Sequence, residues 1–168
     1  MRWITAFLSI LILFLIQDGV IFVLTGGMYY ANLVLVFLII KIIYSDLKDV
    51  LIAAVISGLI FDFLSGLPDG ALTLSVLMTS AAVYYIANNV ISREPNIALS
   101  HGLTVLGTVI FFMFSWLVVQ GMTLSGISPS LGINITLRSF AAELFLNALL
   151  TYPVFLYYNL VGNLNTKT

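Results

Sequence analysis

Long apolar runs divided by short polar breaks set the pattern of this chain. A helix that crosses a hydrocarbon layer of about 30 Å at 1.5 Å per residue needs roughly 20 apolar residues. The first run, Trp3 to Leu24, follows Arg2 and ends at Thr25-Gly26-Gly27. Its position is that of a signal peptide, but its apolar core is long and holds Asp18, and further runs follow, so an uncleaved first helix is predicted. The second run, Tyr29 to Tyr44, is a little short on its own, with Lys41 able to snorkel at its end. The charged turn Ser45-Asp46-Leu47-Lys48-Asp49 separates it from the third, Val50 to Leu67, which Pro68-Asp69-Gly70 closes with a turn signal. The fourth covers Ala71 to Ile91 and is broken by Ser92-Arg93-Glu94-Pro95-Asn96. The fifth runs from Leu99 to Met122, and the polar stretch Thr123 to Asn134, with Gly126, Pro129 and Gly132, reads as the longest loop. The sixth is Thr136 to Val161, with Pro153 as a kink.

These elements predict an all-α integral membrane protein: one polytopic domain over residues 1–168, with about six transmembrane helices at 3–24, 29–44, 50–67, 71–91, 99–122 and 136–161. Composition agrees. Apolar residues make up 61% of the chain and charged residues 8%, against about 25% charged in soluble domains, so the lipid bilayer is the expected solvent. The net charge of -1 offers no basic patch, which excludes nucleic acid as a partner. The chain has no cysteine, which removes disulfides, thiol catalysis and cysteine-ligated metals.

Orientation follows from lysine and arginine near the helix ends. With the N-terminus in the cytoplasm, Arg2, Lys41, Lys48, Arg93 and Lys167 fall on the inner side and only Arg138 on the outer. Both termini are then cytoplasmic. Trp3, Tyr44, Tyr157 and Tyr158 lie near the inner interface and Tyr29 and Tyr30 near the outer one, as aromatic residues favour both levels.

Ionisable residues within a span are costly and usually face the bundle interior. Asp18, Asp62, Arg138 and Glu143 are the candidates, and this topology puts all four in the outer half. One guanidinium facing up to three carboxylates predicts a buried polar network. Three roles are open to it: an interhelical staple that fixes register, a ligand or partner site, or a proton or ion path. No acidic continuation runs through the inner half, which disfavours a path. On the third helix Ala54, Gly58, Asp62 and Gly66 recur every four residues and share one face. Small residues let backbones approach closely in lipid, so Asp62 is expected against a neighbouring helix. Asn32, Asn88, Asn89 and Asn147 are expected to make interhelical or helix-end hydrogen bonds. His101, the sole histidine, reads as an interfacial polar residue and not as a metal ligand. No metal or cofactor is expected.

Catalytic signatures are missing. There is no H-E-x-x-H, no G-x-S-x-G and no P-loop. Lys41 and Lys48 lie at the inner rim, which argues against a serine–lysine dyad. Asp18 and Asp62 lack the flanking residues of intramembrane aspartyl proteases. A non-enzymatic role is expected.

One stretch, Gly58-Leu59-Ile60-Phe61-Asp62-Phe63-Leu64-Ser65-Gly66-Leu67-Pro68-Asp69-Gly70, resembles the signature of the rod shape-determining protein MreD family. That signature is a glycine, an aspartate four residues later, Ser-Gly, a proline and a closing glycine; Gly58, Asp62, Ser65, Gly66, Pro68 and Gly70 fill it. Asp69 stands where the family often has an apolar or small residue. Chain length and helix count agree over the whole chain. The resemblance implies a non-enzymatic inner-membrane scaffold of the bacterial cell-elongation (rod) complex, or elongasome. It acts with MreC, a single-span periplasmic protein, and indirectly with the actin-like MreB and the cell-wall synthases that build lateral peptidoglycan and set cell shape. The family is also similar in fold to the substrate-binding subunits of energy-coupling-factor transporters, and a vitamin-binding subunit is the alternative reading. Such subunits hold their ligand in the outer half, where the acidic residues lie. Against it, Thr25-Gly26-Gly27-Met28 is too short to cap a pocket, and the first helix shows no coupling pattern.

Overall fold

The computed structural model describes residues 2–21, 23, 31–65, 68–89, 96–126 and 137–165, with side chains given only between residues 4 and 161. All regular elements among them are helical. They are α1 (Arg2–Ile16), continued by a π-helical turn (Gln17–Ile21), α2 (Leu33–Tyr44), α3 (Leu47–Ser65), α4 (Ala71–Asn89), α5 (Ile97–Leu124) and α6 (Leu137–Asn165). The segments Ile4–Ile21, Ala71–Asn89, Ile97–Leu124 and Leu137–Val161 are long and apolar enough to cross a membrane. This is a membrane protein of helical architecture. Arg93, Lys167, Tyr29, Tyr30 and the Thr25–Gly27 break lie outside the described residues, as does most of the stretch Thr123 to Asn134.

The centre of the bundle is α2. From Leu33 to Ile43 every residue except Lys41 is buried, and α2 packs against each of the other five helices. Its sequence, LVLVFLIIKIIY, has no polar face. A helix that is apolar all round suits a site enclosed on all sides. The sequence places its start at Tyr29, but the helix begins at Leu33. Asn32 is its N-cap, where the side-chain Oδ1 accepts from the Leu35 amide at 2.9 Å. With 12 residues, α2 is about 18 Å long, shorter than a crossing.

Around it, α3 packs mainly on α4, α4 on α5, and α5 on α6, while α1 lies against α2 and α3. Close approach between these helices rests on small residues. A Cβ on Gly107 of α5 would overlap the Cδ1 of Ile39 in α2. On α4 the buried side is built by Ser75, Val76, Thr79, Ser80, Val83 and Ala87. Its hydroxyls turn back onto the helix, Ser75 Oγ donating to Ala71 O and Thr79 Oγ1 to Ser75 O, both at 2.7 Å. Helix-internal bonds of this kind satisfy a hydroxyl without a partner across the interface. At the other end of α2, Tyr44 stacks on Tyr158 of α6 with ring centroids 4.9 Å apart, and Tyr158 also meets Phe37.

The first run is not one uniform α-helix. It is α-helical to Ile16 and then widens into the π turn Gln17–Ile21. At the far end, α5 continues through Leu124, two residues past the predicted end, and is closed by Gly126 at φ +71°.

Candidate functional site

The residues that carry the family resemblance form the corner between α3 and α4. Asp62, one turn before the end of α3, is 6% exposed. Its Oδ2 accepts from the Gly70 amide at 3.0 Å, the Thr73 amide at 3.1 Å and the Thr73 hydroxyl. Its Oδ1 accepts from the Leu72 amide at 2.7 Å. The first turn of any helix has amides without intrahelical acceptors. Here those of Leu72 and Thr73 go to Asp62, that of Ala71 goes to Pro68 O at 3.1 Å, and Leu74 N opens the intrahelical series by donating to Gly70 O. A carboxylate at a helix N-terminus also meets the positive end of the helix dipole. Asp62 is thus a cap supplied by the preceding helix.

Two glycines make the corner possible. Gly70 has φ +89°, the left-handed region where a side chain is strained. Gly58, one turn before Asp62 on the same face, lies against α4 so closely that a Cβ there would overlap the Thr73 Cα. Ala54, a further turn back, is fully buried. Pro68 is partly exposed and Asp69 exposed at the tip. Gly66 and the Ser65 side chain lie outside the described residues.

The other three ionisable residues are placed differently. Asp18 is exposed in the π turn after α1, Arg138 is exposed near the start of α6, and Glu143 is half-buried on α6. The four residues thus differ in exposure, Asp62 being buried, Glu143 half-buried, and Asp18 and Arg138 exposed. Glu143 hydrogen-bonds Asn147, one turn further on.

Asn147 is fully buried and is the second polar centre. Its Oδ1 accepts from the Asn32 backbone amide at 2.7 Å, and its Nδ2 donates to Thr108 Oγ1 at 3.1 Å. One amide side chain thereby joins α6 to the start of α2 and to α5. Thr108 Oγ1 donates in turn to Thr104 O, and Thr151 Oγ1 to Asn147 O. The expectation of interhelical or helix-end bonding is met by Asn32, by Asn147, and by Asn89, whose Nδ2 donates to Tyr85 O at 3.0 Å. Thr108 was not legible as a site residue; Thr104, Thr108 and Asn147 carry no spacing signal that distinguishes them from other polar residues in apolar runs. Asn96, within the break after the fourth run, is a second N-cap, its Oδ1 accepting from the Leu99 amide at 2.6 Å.

Among the described residues no group of three or more His, Asp or Glu side chains gathers to hold a metal. Comparison with protein-family models, with curated proteins and with solved structures gave no match.

Proposed function

We propose that the chain is a non-enzymatic scaffold subunit of the bacterial cell-elongation machinery. It sits in the inner membrane with about six crossings and both termini cytoplasmic, and binds an MreC-like single-span partner. The observation that carries this reading is the Gly58–Gly70 stretch, which resembles the MreD signature and in which Gly58, Asp62 and Gly70 each have a structural job. Asp62 caps α4, Gly58 admits Thr73, and Gly70 turns the chain. A carboxylate whose two oxygens accept four donors of its own chain is engaged in fold, as a scaffold requires.

The test is depletion and co-purification together. In a rod-shaped host, depletion is expected to give rounded, widening cells, and the full-length protein is expected to bring down a single-span periplasmic protein. Native mass spectrometry that finds a stoichiometric vitamin-like metabolite and no protein partner would replace the scaffold with a transporter subunit. For topology, a reporter fused at Thr168 is expected to be active only in the cytoplasm and one within 127–134 only outside; the reverse pattern ends the orientation.

A further inference from the structure

The two sides of α1 differ in kind. Its inner side, with Ser9, Ile10, Leu13, Phe14 and Gln17, is buried. Phe14 meets Phe61 of α3 edge to face, and Ser9 Oγ accepts from the Tyr157 hydroxyl of α6 at 3.0 Å. The opposite side presents Ile4, Leu8, Leu11 and Leu15, all exposed, at intervals of four, three and four residues. Three residues on, the same stripe reaches Asp18, also exposed. That 4-3-4-3 spacing is the seam along which two helices pack with left-handed crossing.

A lipid-facing stripe needs only apolar residues, and α6 has one in Phe145, Leu149, Tyr152 and Leu156. The α1 stripe instead ends on a carboxylate one turn inside the candidate span Ile4–Ile21. Arg138, exposed near the start of α6, has a long side chain that can snorkel to the interface. The short side chain of Asp18 cannot reach as far. The chain widens into a π turn at this level, a feature frequent at functional sites. Gln17, on the buried side, hydrogen-bonds the Asp18 carboxylate and leaves its outward side open.

We propose that this face of α1 seats a single transmembrane helix carrying a basic residue level with Asp18. That the partner is a single-span protein rests on the function proposed above. Asp18 supplies the charge on the exposed side. An arginine, with several donors in a planar fork that can engage both carboxylate oxygens, fits it best. Leu8, Leu11 and Leu15 provide the apolar seam that fixes the crossing.

The absence of cysteine gives a clean test. Leu11→Cys, and Leu149→Cys on α6 as control, are placed in the full chain and co-expressed with an MreC-type protein bearing single cysteines along its span. Disulfides are expected from position 11 with a repeat of 3 to 4 residues along the partner helix, and none from position 149. Asp18→Lys is expected to lower partner recovery about tenfold, roughly the strength of one interhelical polar contact in lipid. A basic-to-Asp change in the partner is expected to restore it. Leu11→Trp, which blocks the seam without touching a polar group, is expected to lower recovery as well. If the wild type recovers the partner and neither Asp18→Lys nor Leu11→Trp reduces it, the partner binds elsewhere; this inference is overturned and the scaffold reading stands. Cross-links from position 11 only to a second copy of the chain overturn the occupant. Failure of the wild type to recover the partner overturns both readings.

Discussion

Asp62 and Asn147 are both buried polar side chains in apolar helices, yet they are satisfied over very different lengths of chain. The Asp62 donors Gly70, Leu72 and Thr73 lie 8, 10 and 11 residues from it, at the start of the next helix along. Asn147 reaches back 39 residues to Thr108 and 115 residues to Asn32. The α3–α4 corner is a local unit, in which one helix carries the cap of the next. The Asn147 node is a closure contact, made only when the first and last parts of the bundle have met around α2. A carboxylate is tolerated at the corner because a helix N-terminus offers several amides that need acceptors anyway. An amide suits the node because it can accept from α2 and donate to α5 at the same time.

Substitutions distinguish the local corner from the long-range node, with stability read as the midpoint of thermal or SDS-induced unfolding in detergent. The largest loss is expected from Gly58→Ala. The added Cβ meets the backbone of Thr73, which cannot swing aside, so the cost reaches or exceeds the upper end of about 1–3 kcal/mol for overpacking. A wild-type midpoint for this variant would mean that α3 and α4 are not in close contact.

Next comes Asp62→Leu. It strips the cap and leaves the Leu72 and Thr73 amides without their acceptor, about 2–3 kcal/mol from lost capping and unsatisfied donors. Asp62→Asn keeps one acceptor oxygen and is expected to fall between Leu and wild type. Equal losses for Asn and Leu would show that charge, and not acceptor geometry, is what the corner requires.

Asn147→Leu is expected to cost less, about 1 kcal/mol, since interhelical polar contacts in lipid average well below their value in an apolar solvent. A double-mutant cycle with Thr108→Val isolates the bond between them, and a coupling of zero removes the node from the account. The smallest effect is expected for Gly107→Ala, about 1 kcal/mol or less. The added methyl overlaps the flexible end of Ile39 and otherwise meets Val83 at ordinary contact distance, and Ile39→Val, which shortens that end, is expected to relieve the loss.

Much of the architecture was legible because lipid imposes simple demands. Runs such as Ile97–Leu124 are long, apolar and bounded by polar residues, and they form helices close to the predicted bounds. The stripe of Ala54, Gly58 and Asp62 indicated which face of α3 meets another helix, since small residues repeated every four positions share a side. The grouping of Asp18, Asp62, Arg138 and Glu143 was argued from depth alone. Depth does not fix the direction a side chain faces, and exposure separates Asp18 and Arg138 from Asp62.

The order of residues alone fixes that the chain is a helical membrane protein, where its helices break, and that Pro68-Asp69-Gly70 turns the chain a short way after the acid Asp62. Apolar length, proline and glycine act locally, so the order of residues suffices to place them. Only the tertiary structure decided that α2 is the enclosed centre, that Asp62 caps the following helix, and that Asn147 ties α6 to α2 and α5. A polar group in an apolar run must find a partner, but which partner depends on helices far away in sequence and on the side of each helix that faces inward.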